Sequence, residues 1–162
     1  MSFPKIKKTT FLLIILASII PSLASENPPQ KISITPEFVV HINNRLSNNK
    51  ILLSHCKSKD NDLGVHNITV GSEFSWKFKE NIIWTTLYWC YLAPDAFSHA
   101  SLEVFSRGHI MSKCGRPKGG SNWTYDCIWY AQDDGVYIRD LPKAHDDFVA
   151  PWQKGRLTNF EQ

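Results

Sequence analysis

Between Gly71 and Lys79 the chain sets Phe74, Trp76 and Phe78 at alternate positions, with Ser75, Lys77 and Lys79 between them. A period of two puts three rings on one face of an extended segment and polar groups on the other. That is the pattern of a half-buried antiparallel strand. Short segments of the same kind recur along the chain. Phe38–Asn43 is rich in β-branched residues, and Lys50–Ser58 alternates Ile51, Leu53, His55 and Lys57 with Leu52, Ser54, Cys56 and Ser58. Val65–Val70 follows a polar loop, Lys59–Gly64, closed by glycine. Trp84–Leu92 is apolar on both faces and reads as a central strand, and Ser101–Phe105 is another strand. Cys127–Gln132 and Val136–Arg139 flank Asp133-Asp134-Gly135, a hairpin turn. Arg107–Ser121, rich in Gly and Lys, reads as an irregular excursion. With no helix-period segment and no internal repeat, the expectation is an all-β fold. It is a small antiparallel sandwich of seven to eight strands, and a closed barrel is the rival architecture.

The first 24 residues stand apart from this pattern. Lys5, Lys7 and Lys8 precede the apolar run Phe11–Ile20, and Pro21 and the small residues Ser22–Ser25 follow. A basic head, a ten-residue apolar run and small residues before a cleavage point form a secretory signal peptide, with cleavage expected after Ala24. The run is half the roughly 20 apolar residues that a spanning helix needs, so the mature protein is not expected to be embedded in a membrane. Residues 25–36 carry Pro28, Pro29 and Pro36 and read as an extended leader. Residues 37–140 form the domain, and 141–162, with Pro142, Pro151 and Gly155, form a loosely structured tail.

The signal also holds three of the 18 basic residues and none of the 15 acidic ones, leaving 15 of each in the mature chain. The basic pI of the whole chain is therefore a poor sign of a nucleic-acid partner, which would need a clustered basic surface. In an oxidising compartment the four cysteines, Cys56, Cys90, Cys114 and Cys127, imply two disulfides. No two of them stand at zinc-site spacing. Asn67-Ile68-Thr69 and Asn122-Trp123-Thr124 are acceptor triplets for N-glycans on Asn67 and Asn122.

No catalytic constellation stands out. The six histidines (41, 55, 66, 99, 109 and 145) form no helical metal motif, although His41 and His55 lie on successive strands where a pair could meet. His145-Asp146-Asp147 resembles a ligand cluster but sits in the polar tail, where a solvated loop is expected. Gly119-Gly120-Ser121 lacks the strand-to-helix setting of a nucleophile elbow, and Gly115–Gly120 lacks the ending of a phosphate loop. Lys59-Asp60-Asn61-Asp62 does not complete a calcium loop. Neither a metal nor another cofactor is expected.

The ordered set of segments resembles one family. His55-Cys56-Lys57-Ser58-Lys59-Asp60-Asn61-Asp62-Leu63-Gly64 is similar to a signature of the plant self-incompatibility S-protein homologues. The aromatic strand Gly71–Phe78, then Thr86-Leu87-Tyr88-Trp89-Cys90, then Cys127-Ile128-Trp129 with Asp133-Asp134-Gly135-Val136-Tyr137 follow in the family's order. The resemblance covers Val39–Ile138. It implies a small secreted plant protein with a β-sandwich and two disulfides. The best-known members are stigma-secreted ligands of a pollen membrane protein, and most others are regarded as extracellular signalling ligands. The Arg107–Asn122 insert is long and Gly/Lys-rich for the family.

The resulting expectation is a monomeric, non-enzymatic extracellular ligand of a plasma-membrane receptor protein, with pollen–pistil recognition as one such role. Loops carry recognition on rigid scaffolds, so the expected contacts are Lys59, Asp60, Asn61, Asp62 and Leu63, and Arg107, Arg116 and Lys118. Of the three possible disulfide connectivities, Cys56–Cys127 with Cys90–Cys114 is the one expected. The alternatives are a defence or carbohydrate-binding protein using Trp123 and Trp152, and an extracellular hydrolase using His41 or His55.

Overall fold

Ten strands follow one another in the computed structural model, which describes residues 35–116 and 123–155. They are β1 (Glu37–Asn44), β2 (Leu52–Ser58), β3 (Asp62–Ile68), β4 (Glu73–Lys79), β5 (Tyr88–Ala93), β6 (Ser98–Phe105), β7 (Thr124–Gln132), β8 (Gly135–Asp140), β9 (His145–Pro151) and β10 (Gln153–Lys154). A 3-10 turn covers Met111–Lys113. The expected signal peptide, the leader up to residue 34, Lys118 and Asn122 lie outside the described residues. Among the described residues no helix is long and apolar enough to cross a membrane.

The strands form two five-stranded sheets, ordered β4-β1-β7-β8-β9 and β10-β6-β5-β2-β3. Their inner faces share one core, to which β1 gives Phe38, Val40 and Ile42 and β7 gives Cys127, Trp129 and Ala131. β2, β5 and β6 supply Leu52, Leu92 and Val104 from the facing sheet. This is a sandwich, as the alternation predicts. The fully buried Trp129 donates its indole N–H to the Val104 carbonyl at 3.0 Å, joining the two sheets. Along one side, the seam between β3 and β4 is closed by side chains, with the His66 and Phe74 rings stacked 3.7 Å apart.

Four expectations are corrected. β1 and β7 pair in parallel, Phe38 opposite Tyr125 and Ile42 opposite Trp129, so the sheet is not wholly antiparallel. A parallel pair needs a long crossover, and here that crossover is most of the opposing sheet. As far as residue 155 the tail is not loose, since β9 completes one sheet and β10 borders the other. The polar loop after β2 is shorter than expected, because Asp62, Leu63 and Gly64 already belong to β3. The fourth correction concerns the cysteines.

The disulfides are Cys56–Cys90 and Cys114–Cys127, not Cys56–Cys127 and Cys90–Cys114. Register explains both. Cys56 and Cys90 stand directly opposite on the neighbouring strands β2 and β5, with Cα atoms 4.0 Å apart. The backbone bridge Gly115–Asp126 is antiparallel, so the next pair outward is Cys114 and Cys127. Cys127 lies in the sheet facing Cys56, and each cysteine has a partner within its own sheet's hydrogen-bonded neighbourhood.

The β7–β8 hairpin turn forms where the sequence places it, with Gln132 opposite Gly135. Gly135 is required there. A Cβ at this position would lie 2.3 Å from the Ala150 carbonyl oxygen and 2.8 Å from the Phe148 ring.

Candidate functional site

The strand registers sort the connections into two ends of the sandwich. Ser58 pairs with Tyr88 and Tyr88 with Phe105, while Glu37 pairs with both Lys79 and Thr124. The β2–β3 turn, the β4–β5 loop (80–87), the β6–β7 connection and the β8–β9 turn therefore all emerge at one end, here termed the loop end. The opposite, turn end carries connections 45–51, 69–72, 94–97 and 133–134.

At the loop end the β2–β3 turn and the β4–β5 loop face each other across an open cleft of about 620 Å³. Lys59, Asp60 and Asn61 line one wall, and Asn81, Ile83 and Thr85 the other, with Lys79, Leu87, Tyr88 and Trp89 between. Local hydrogen bonds fix both walls. The Asn61 backbone N–H donates to the Ser58 hydroxyl at 3.1 Å. Asn81 acts as the hub of its loop: its side-chain amide donates to Thr85 Oγ1, its Oδ1 accepts from the Thr85 backbone N–H, and its own backbone N–H donates to Thr86 Oγ1. Trp84 takes a left-handed backbone conformation there, φ 60°. The result is a pinned loop that displays two aliphatic side chains, Ile82 at 89 % and Ile83 at 74 % exposure.

Beneath that loop lies a charge arrangement. Glu80 is buried, and among the described residues neither of its carboxylate oxygens has a hydrogen-bond partner. The Arg107 guanidinium approaches it to 3.8 Å and stacks on the Trp84 ring at 3.5 Å. Burial pushes the Glu80 carboxyl above its ordinary range, and the Arg107 charge opposes that shift. Arg107 thus ties the β6–β7 connection to the β4–β5 loop.

Of the expected contact residues, Lys59, Asp60 and Asn61 stand in the cleft wall. Asp62 is turned back on its own sheet, with the His55 ring at 2.7 Å and the Gly64 N–H at 2.8 Å. The Gly64 hydrogen bond and then the His55 hydrogen bond hold its carboxyl below the usual range. Leu63 packs against the core. Arg107 is engaged with Glu80, and Arg116 lies on the Tyr125 ring and donates to its hydroxyl at 3.1 Å. The β4–β5 loop was missed because Trp84–Leu92 reads as one continuous strand. Its signals were the polar breaks on both sides, Asn81 and Thr85-Thr86.

The histidines do not assemble. His41 is on β1 in one sheet and His55 on β2 in the other, so the pair expected from successive strands does not meet. His41 instead lies between Glu73 (3.0 Å) and Asp126 (3.4 Å) on the two neighbouring strands. His145 and Asp147 are in β9 rather than a solvated loop. With Asp140 they bring three ligand-type atoms within 4.8 Å of one another. Cations of the chain itself already fill that position: Lys113 contacts Asp147, and Lys143 lies 3.1 Å from Asp140. Burial raises the Asp140 carboxyl, but hydrogen bonds from Lys143 and the two lysine charges bring it below the ordinary value. Trp152 is half-buried and donates to the Gln132 carbonyl at 2.8 Å, whereas Trp123 is exposed.

The family model described as "Plant self-incompatibility protein S1" matches residues 39–152, from β1 through β9 and into Trp152. S-protein homolog 74 and S-protein homolog 1 of Arabidopsis thaliana are each 35 % identical over 120 residues, covering 74 % of this chain and 74 % of theirs. Self-incompatibility protein S1 of Papaver rhoeas is 32 % identical over 102 residues, 63 % of this chain and 68 % of its own. A solved SPH (Self-Incompatibility Protein Homologue) structure, of a family described as small, highly stable, secreted plant proteins, matches 75 % of this chain and 97 % of that one, with a TM-score of 0.47 and 19 % identity. The match runs through β9, the strand that the sequence pattern had assigned to a tail, and spans well over half of the chain. This chain therefore belongs to the plant self-incompatibility protein S1 family.

Proposed function

We propose that this protein is a secreted extracellular ligand that binds a protein on the plant cell surface through its loop end. The observation that carries this reading is the convergence there of two connections around a cleft, one of which displays the exposed Ile82 and Ile83. Two adjacent aliphatic side chains held out by a hydrogen-bonded loop contribute little to folding. Buried against a partner, each would contribute about 1.5–3 kcal/mol. Secretion is supported by the signal-like N-terminus. A carbohydrate-binding role has exposed Trp123 in its favour, but Trp152 is half-buried with its indole N–H held by the Gln132 carbonyl.

The test is saturable binding of labelled mature protein to plasma-membrane vesicles from pollen and from vegetative tissue. The reading predicts protease-sensitive binding that is lost when Ile82 and Ile83 are both replaced by serine. Binding that survives protease treatment of the vesicles, or is blocked by free oligosaccharide, would remove it.

A further inference from the structure

The outer face of the β2–β3 pair is unusual for a surface. Directly opposite residues share a face, and Leu53 pairs with Asn67 on one side and Ala93 on the other. The next row outward contains Val65, opposite His55. Val65 is 56 % exposed, and Ile51, one residue before β2, is 54 % exposed. An apolar strip thus runs from β2 onto Val65 of the edge strand β3, the kind of element most prone to pairing with other chains. Asn67 stands at its border, exposed, and among the described residues its side chain makes no hydrogen bond. It opens the triplet Asn67-Ile68-Thr69, and Thr69 is exposed in the following turn.

We infer that Asn67 carries an N-linked glycan whose inner sugars lie over Leu53 and Val65. In the reaction, the amide nitrogen of Asn67 forms a bond to the anomeric carbon of a lipid-linked diphosphate oligosaccharide. The bond from that carbon to the lipid diphosphate breaks, the diphosphate leaves with the electron pair, and the amide proton passes to a base. The apolar face of the first sugar ring then meets the apolar strip and blunts the β3 edge. Position gives the glycan a second consequence. Leu53, opposite Asn67, is five residues from Ser58, or about 17 Å along the strand. The glycan root is therefore set away from the cleft, and the loop end stays open to a partner. The inference rests on the secretory route proposed above.

The test uses full-length protein secreted from plant cells and treated with peptide-N-glycosidase A in heavy-oxygen water. Labelled aspartate at position 67 in the peptide map is the expected result, with loss of that label in Thr69→Ala and its return in Thr69→Ser. Secreted protein with unmodified asparagine at 67 overturns the inference and leaves the secretion reading intact, while protein retained in the cytosol contradicts both. Removing the glycan should increase binding of the apolar dye 8-anilinonaphthalene-1-sulfonate, and Ile51→Ser with Val65→Ser should abolish the increase. No increase would show that the sugars do not cover the strip. Thr69→Ala protein should bind membrane vesicles as the glycosylated protein does; loss of binding would place the glycan on the contact surface and contradict its position.

Discussion

The two ends of the sandwich are built from the same strands but close in different ways. At the turn end, the buried Asn44 donates to the carbonyls of Lys50 and Ile68 and accepts from the Leu46 N–H, drawing the 45–51 connection onto the end of β3. At the loop end the connections are tied by Asn81 and by Arg107 to a carboxylate left without a hydrogen bond. Asn44 at one end has its buried amide fully hydrogen-bonded, while the other end keeps an imperfect ion pair near two exposed isoleucines. An end shaped only for stability has no reason to retain that arrangement.

Breaking the shared body should have the largest effect. Trp129→Ala removes a ring buried between the sheets and its bond to Val104, and should cost about 3–5 kcal/mol, read as a fall in the denaturant midpoint. Removing a disulfide by paired Cys→Ser changes should come next, at about 2–5 kcal/mol. Cys56–Cys90 spans 34 residues and Cys114–Cys127 only 13. Loss of the first should therefore cost about 0.8 kcal/mol more on the chain-entropy relation. Equal effects, or a larger loss at Cys114–Cys127, would mean that the short bridge holds the loop end in a way chain entropy does not capture.

The disulfides also mark the limit of what the sequence makes legible. β4 is read directly from Phe74, Trp76 and Phe78, and the β7–β8 hairpin from Asp133-Asp134-Gly135, because periodicity and turn chemistry are local. Connectivity depends on which strands become neighbours and in what register, and no local pattern around Cys56 specifies Cys90. β9 was missed for a different reason. As an edge strand with Phe148 and Val149 exposed it has no buried alternation to read. At the candidate site, the β2–β3 turn was legible from its polar run, whereas the β4–β5 loop was hidden by continuity with the apolar strand after it.

A smaller effect should divide the loop end itself by pH. The Glu80 carboxyl is raised in the folded protein, so the folded state binds more protons there than the unfolded chain. Its contribution to stability is fully present below the unfolded carboxylate pKa and is lost as pH rises through the folded value. Asp140 and Asp147 are lowered and act oppositely, contributing above the unfolded pKa and losing that contribution as pH falls through their folded values. Glu80→Gln should therefore steepen the fall in stability on acidification, and Arg107→Ala should destabilise more at neutral pH than in acid. An Arg107→Ala penalty independent of pH would show that the Trp84 stack, not the ion pair, holds the loop.

The smallest effect on stability is expected where binding should suffer most. Ile82→Ser with Ile83→Ser should shift stability by no more than about 0.5 kcal/mol per site. Phe97→Ser, an equally exposed change at the turn end, should be as mild and leave binding intact.

The most direct measurement of the central claim is backbone hydrogen exchange of the mature protein, alone and bound to plasma-membrane vesicles. The account predicts new protection in Ser58–Asn61 and in residues 80–87 and 106–116, with the turns at 69–72 and 94–97 unchanged. Protection confined to those turns or to the outer face of β2 and β3 would contradict it.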